Sequence, residues 1–480
     1  MTDAAPRGRY TMLIDQAFGR DAALPQARVM TEYDRVTSEA RAVGAFHWPL
    51  EFPEVFLDSQ GRPRADGGFD AILGNPPWEM LRSDPGTGTA RTGLGRFARS
   101  SGLYVAQSRG HTNAYQLFLE RALTLLRPGG RLGLLVPSGL LTDSGSGPLR
   151  RVLVERHRFE SAAVFDNRRA IFPVHRGLRF AAITAVHSGT TSAVRCRFGL
   201  DSADQSAALN PASGAGFTVS ITPALLRTLG GADLAFPDLP TPADAVLVER
   251  LVNRHPPLAA PEGWAVTFGR ELNATDDRDC LSVSGDSANL VVLDGRDLEA
   301  FRVRLDRAGR RADRAKVVAR LGARAPDIDR PRLAYREVAA ATNRTTLIAA
   351  VVPAGAVTVH TIFCCRARLA DMDTAALCAL LNSYVANYLV RRWVTTHVTA
   401  TVMSRLPVPA PDSRNRRVLA RLARRLARAP SASMEAECQA RSAALYGLNA
   451  DEFAHVLETF PLVDRDRREA ALEAFRRGAP

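Results

Sequence analysis

The sequence predicts an α/β sheet, then a second domain with strands of its own, then a helical C-terminal part. Three observations predict it. Short apolar runs closed by turn residues alternate with stretches of helical spacing between about residues 69 and 186, the pattern of an α/β layer. A second set of strand-like runs appears beyond residue 260, after a less regular stretch. Pro407, Pro409 and Pro411 then mark a linker into a leucine- and arginine-rich segment of helical period.

The elements follow in order. Residues 1–45 are polar and alanine-rich with no strong pattern. Phe46 to Phe56 is dense in aromatics and interrupted by prolines, as an ordered packing segment would be; His47 within it has no visible partner and reads as structural. Ala71-Ile72-Leu73, stopped by Gly74, has the length of a buried strand. Arg82 to Gly110 is rich in Gly, Ser, Thr and Arg and reads as a mobile loop. Tyr115, Phe118, Leu119, Ala122, Leu123 and Leu126 recur at helical spacing, and Pro128-Gly129-Gly130 is expected to end that helix. Arg131–Pro137 reads as a buried strand, Pro148 opens a helix to about Arg156, and Ala162–Phe165 and Phe180–Val186 are further strands.

Residues 193–261 look irregular, with loops around Pro211 and Pro240. Leu290–Leu293, Leu333–Tyr335 and Leu347–Val352 are the strands of the second domain, and the strongly basic stretch Arg302–Arg330 lies among them. Asp373–Trp393 is expected to be one helix.

Composition narrows the class. A chain of 480 residues with 46% hydrophobic and 24% charged residues is long enough for several cores and has a globular balance. The start, Met1–Arg20, lacks the apolar region of a signal peptide, and the longest apolar run, near Leu347–Val357, is too short to span a bilayer. A cytoplasmic protein without membrane contact is expected. The six cysteines are scattered without CxxC or Cys/His spacing, so neither a disulfide framework nor a bound metal is expected. A net charge of +13 favours a polyanionic partner through counterion release, although the near-total use of arginine (Lys316 is the only lysine) also fits a GC-rich genome.

The most informative stretch is Phe69-Asp-Ala-Ile-Leu-Gly-Asn-Pro-Pro-Trp78. Ligands of α/β sheets sit beyond the carboxyl ends of strands, where Asn75-Pro76-Pro77-Trp78 would lie. Asn75 offers a side-chain carbonyl beside the backbone carbonyl of Pro76, and two fixed acceptors can hold both hydrogens of an exocyclic amine. Pro76 and Pro77 stiffen the loop, and Trp78 supplies a flat face for a base.

That tetrapeptide resembles the catalytic motif of DNA amino-methyltransferases. The ordered series HWPLEFPEVF (47–56), FDAILGNPPW (69–78), RPGGRLGLLVPSG (127–139), FDNRRAIFPVHRGLRFAAI (165–183) and GRELNATDDRD (269–279) resembles the adenine-specific methyltransferases of type IIG restriction–modification and of the BREX and DISARM phage-defence systems. PRLAYREVAAATNRTTLIAAVVP (331–353), LLNSYVANYLVRRW (380–393) and LPVPAP (406–411) resemble the family's target-recognition region, and ALYGLNADEFAHVLETFP (444–461) its helical tail. The resemblance implies a partial class I (Rossmann-like) methyltransferase sheet followed by an α+β target-recognition domain and a helical tail. Its divisions would be an N-terminal extension at 1–45, a catalytic half at 46–200, a connection at 201–260, target recognition at 261–410 and the tail at 411–480. It implies that Asn75 and Pro76 hold the target amine, with Pro77 stiffening the loop, and that Trp78 stacks on the flipped base. Phe172 would face the base from the opposite side; a core position at a strand edge is an equally open reading. S-adenosylmethionine is the implied methyl donor and double-stranded DNA the implied partner.

One departure is large. The family's upstream glycine-rich loop and ribose-binding acid have no counterpart in residues 1–68, where Gly8, Gly19 and Gly44 are isolated. The sequence therefore leads us to expect an incomplete cofactor site and a second chain carrying the cofactor-binding half. A restriction nuclease of the PD-(D/E)xK type is not expected, because Arg314 stands two residues before Lys316. A different class stays open: a non-catalytic DNA-recognition subunit with a vestigial catalytic half. In either case Arg417, Arg421, Arg424, Arg425 and Arg428, on one face of a helix, would contact phosphates, unless they form an ordinary solvated face opposite Val418, Leu419, Leu422 and Leu426.

Overall fold

The computed structural model describes residues 26–81 (except 43 and 45), 95, 97, 98, 100–107, 113–210, 213–281, 289–394 and 397–478. Most of the Arg82–Gly110 loop reading falls outside them. The chain divides into a small unit, residues 1–70 with 126–128, and a large one, residues 71–125 with 129–480.

In the small unit α1 (Gln26–Ala42) precedes the aromatic segment. Two single helical turns, each started by a proline, bring Trp48, Phe52 and Phe56 edge-on around Phe69, with ring centroids 5.4, 5.5 and 5.2 Å away. Such edge-to-face contacts stabilise the cluster beyond simple burial. Gly68, at φ 131°, lies so close to the Leu126–Arg127 backbone that a Cβ would sit 2.4 Å from the Arg127 nitrogen. Only glycine fits there.

A six-stranded sheet has the order β1-β2-β4-β3-β5-β6, with β1 (Phe69–Gly74) at its edge. α2 (Ala114–Leu125) buries Tyr115, Leu119, Ala122 and Leu123 and runs directly into β2 (Leu126–Pro137). Phe118, expected on its apolar face, is instead exposed. Pro128-Gly129-Gly130 is not the helix stop expected from sequence: Gly129, at φ 79°, donates its N–H to His187, whose own N–H returns to Gly130, so the segment continues the strand. α3 (Gly147–Glu155) leads to β3 (Arg158–Asp166) and β4 (Arg179–Val186). β4 pairs antiparallel with both β2 and β3, placing Ile183 between Leu134 and Ala162.

β5 (Val194–Leu200) pairs parallel with β3, and β6 (Val219–Ile221) antiparallel with β5. The sheet thus extends into the stretch that looked irregular. α4 (Pro223–Gly230) and α5 (Pro242–Arg254) follow, each opened by a Thr-Pro pair whose threonine hydroxyl accepts a hydrogen bond from an N–H in the first turn.

β1 corrects an expectation. It is not buried: Ala71, Leu73 and Gly74 are exposed, Leu73 to 90%, because β2 covers one side and no other strand among the described residues pairs with it.

The second domain contains β7 (Phe268–Gly269), β8 (Asn289–Leu293), β9 (Leu298–Glu299), β10 (Arg302–Val303), β11 (Arg310–Asp313), α6 (Arg314–Leu321), β12 (Arg332–Arg336), β13 (Ala349–Val352), β14 (Ala356–Thr358) and β15 (Ile362–Cys365). They form sheets β11-β8-β14 and β13-β12-β15-β7 and the β9–β10 hairpin. A buried ion pair, Glu271 with Arg332 at 2.6 and 2.8 Å, ties the domain together, and Thr358 satisfies the carboxylate further. The single helix expected over 373–393 is two, α7 (Asp371–Leu381) and α8 (Tyr384–Arg391). Ser383 breaks it by taking an extended conformation and accepting the Ala386 N–H, while the Asn382 side chain bonds Ala349. The 406–411 strap is packed rather than loose. Leu406 to Pro409 are buried, the Pro409 carbonyl accepts the Trp264 indole N–H, and the Pro407 carbonyl accepts the Tyr446 hydroxyl. α9 (Ser413–Arg428), α10 (Ala432–Tyr446), α11 (Ala450–Glu458) and α12 (Arg465–Arg476) complete the helical tail. Among the described residues no helix is long and apolar enough to cross a membrane.

Candidate base-binding site

β1 runs in the same direction as β2, since Leu73 lies beside Gly133 and Gly74 beside Leu134. The chain therefore leaves β1 at the sheet end where β2 and β3 also finish, the end at which such sheets bind ligands. Asn75 is exposed there and its amide pairs with no described residue, whereas Pro76 is buried and Pro77 exposed. Trp78 is half-buried and its indole N–H donates to the Leu135 carbonyl of β2, 3.3 Å away, which fixes the ring.

An aromatic floor supports it. Phe165 at the end of β3 stacks on Phe180 at the start of β4, with centroids 5.0 Å apart, and Trp78 tilts over Phe180 at 5.9 Å. Phe172 meets Phe180 edge-on at 5.0 Å and Trp78 edge-on at 6.4 Å and 74°. The structure therefore brings the two aromatics expected at the site together. They do not form two parallel walls, however, and in this arrangement Phe172 does not face Trp78 across a base-sized slot.

Asn167 is a site residue that sequence reasoning missed. It is fully buried, accepts the Phe172 N–H at 2.9 Å and donates to the Phe172 and Val174 carbonyls, both at 3.1 Å. It thus clamps the loop carrying Phe172 from both sides. The loop after β2 has a clamp of its own: Arg150, wholly buried, donates to the Leu140, Asp143 and Asp233 carbonyls. Burial pulls this guanidinium down to about 10, against the opposing pull of Asp233 and Asp143. Burial also pushes the Asp143 carboxyl up.

On its outer side β1 pairs with no strand among the described residues, and Leu73 is exposed there. Nor do any three or more His, Cys, Asp or Glu side chains gather there or elsewhere in a metal-holding group, among those residues. The six cysteines are buried thiols, with Cys364, Cys378 and Cys438 pushed up to about 12 by burial.

The basic segments differ. In the 302–330 stretch Arg304, Arg307, Arg310, Arg314, Arg320 and Arg330 each have a carboxylate partner, which neutralises much of its charge locally. On α9, Leu419, Leu422 and Leu426 are buried, while Arg417, Arg421, Arg424, Arg425 and Arg428 are exposed without an ion-pair partner among the described residues.

Comparison with known proteins bears on this site. Residues 20–172, which contain Asn75–Trp78 and end at Phe172, match the family model described as the Eco57I restriction-modification methylase. No curated protein sequence matches. Among solved structures the chain is similar to the type IIL restriction-modification enzyme MmeI in complex with DNA, at 11% identity over 85% of this chain and 53% of that one, with a TM-score of 0.47. It is also similar to the type IIG restriction endonuclease BpuSI, at 13% identity over 86% and 55% of the two chains, with a TM-score of 0.34. A putative class I S-adenosylmethionine-dependent methyltransferase from Listeria monocytogenes is similar at 17% identity over 30% and 41%, with a TM-score of 0.22. The chain spans about half the length of the first two. The family match is thus confined to residues 20–172, a stretch that includes β1 to β3 of the mixed α/β sheet.

Proposed function

We propose that this chain is the target-base half of an adenine-specific DNA methyltransferase of a restriction–modification or phage-defence system. The observation that carries the reading is Asn75-Pro76-Pro77-Trp78 at the ligand-binding end of the sheet, with Trp78 anchored on β2, inside the segment matching the methylase model. Adenine in a duplex hides its amine in the stack and must be extruded, at a cost of a few kcal/mol. The Asn75 side-chain carbonyl and the Pro76 backbone carbonyl then accept the two amine hydrogens, which turns the nitrogen lone pair outward. Trp78 offers its face to the ring, and the loop clamped by Asn167 brings Phe172 against its edge. The work of these residues is positioning and electrostatics. Sequence is read by residues of about 261–410, and the arginines of α9 hold DNA phosphates.

The open edge of β1 supports the second element of the reading. S-adenosylmethionine is held by another chain, whose strands pair with that edge; unpaired edges with exposed apolar residues favour such pairing. The same edge favours the runner-up reading, a recognition subunit that has lost catalysis. Methyl transfer from tritiated S-adenosylmethionine to duplex DNA, with the complementing chain present, separates the two. Asn75→Ala is expected to lower transfer by about 10²-fold or more while DNA affinity stays near wild type. Transfer at the wild-type rate by the variant would sink the catalytic assignment.

A further inference from the structure

A groove beside α9 gathers arginines that have no ion-pair partner among the described residues. It encloses about 690 Å3, within the range of small-ligand sites, and is lined by Arg424 and Arg428 of α9 and by Arg302 of β10. None of the three has an ion-pair partner among the described residues, in contrast to the six paired arginines between 304 and 330. Asp371 is the one carboxylate in the lining, and Val303, Leu305 and Pro353 contribute an apolar wall. A shallower depression of about 310 Å3 shares Arg424 and Arg428 and adds Arg417, Arg421 and Arg425. At 1.5 Å per residue the row from Arg417 to Arg428 runs about 16 Å.

The β9–β10 hairpin that presents Arg302 holds an uncommon conformation. Phe301, in its two-residue turn, has φ 69°, where glycine is the usual residue. Holding phenylalanine there is strained, and such strain gathers at ligand sites.

We propose that this groove seats one nucleotide unit of a DNA strand. The phosphate lies among Arg302, Arg424 and Arg428, and the deoxyribose rests against the apolar wall, so that the strand's backbone continues along the α9 arginines. The proposal rests on the DNA-binding reading above and extends it from one helix face to a built site that includes Arg302.

Fluorescence anisotropy of a labelled duplex with the full chain, across a range of salt, tests it. Arg302→Ala and Arg428→Ala should each weaken binding about 3–10-fold at ~100 mM salt and reduce the log–log salt slope by about 1. Arg428→Lys should keep the slope, because the charge stays. Arg307→Ala, whose charge is already paired with Glu299, should change neither. Ala427→Trp, which fills the groove without altering charge, should weaken binding at an unchanged slope. Duplex binding with wild-type slope in both arginine variants overturns the groove while leaving the DNA reading intact. Absence of duplex binding by the wild type at low salt overturns both. Displacement of a fluorescent adenosine monophosphate by unlabelled nucleotide, without any effect on duplex binding, overturns the proposal in favour of a free-nucleotide site.

Discussion

Asn167 shows how one buried amide can organise a site it does not touch. Its side chain supplies donors and an acceptor to a loop that has no secondary structure of its own, and the reward is a defined place for Phe172. Replacing it with alanine leaves a backbone N–H and at least two carbonyls without their partner. A buried unsatisfied group costs about 1–3 kcal/mol, and water reaches part of this loop. Asn167→Ala should therefore lose about 2 kcal/mol in urea denaturation and alter Trp78 emission, because Trp78 leans on Phe172. A loss under ~0.5 kcal/mol would show that the clamp is not needed. Glu271 is the other decisive single residue. Burial pulls its pKa up, but the Arg332 guanidinium and the Thr358 hydrogen bonds outweigh burial and hold the carboxyl below the usual 4.5. A folded-state pKa lowered in this way gives stability that is fully present above the unfolded value near 4.5 and is lost as pH falls through the folded one. Stability of the wild type should accordingly decline below about pH 4.5. Glu271→Gln should be about 3–5 kcal/mol less stable at neutral pH, having broken a buried pair, and its acid decline should be shallower. Identical pH profiles for the two proteins would contradict this account of the second domain.

At the scale of elements, the sequence was readable wherever burial imposed a period. β2, β3, β4, β8 and β12 stand close to where the apolar runs place them, and α2, α3 and α9 follow their spacing. β5 was also marked, though it went unread: Val194, Cys196, Phe198 and Leu200 are buried, alternating with Arg195 and Arg197, a period of two. The break between α7 and α8 had a local sign in Ser383, a helix-capping residue lost inside a longer apolar pattern. Other features leave no local trace. That β1 is an edge depends on what pairs with it, not on its own residues. The edge-on meeting of Trp78 and Phe172, 94 positions apart in the chain, depends on the whole sheet end. The charge of the 302–330 stretch likewise reads as basic in sequence and largely paired in space, because partners such as Asp277 and Glu299 lie on other elements. Local patterns specify elements; the site is specified by how they pack.

For the molecule as a whole, one imbalance governs the account. The Trp78 end of the sheet is well supported, with a hydrogen-bonded tryptophan, three phenylalanines and a buried asparagine clamp, while β1 beside it pairs on its outer side with no strand among the described residues. On the proposed reading this chain holds the target base and another chain holds the methyl donor. Isothermal titration of the purified chain with S-adenosylmethionine tests it most directly. No stoichiometric binding heat is expected from the chain alone, with binding only once a partner covers the β1 edge. Stoichiometric binding of the methyl donor at micromolar affinity by the chain alone would contradict it.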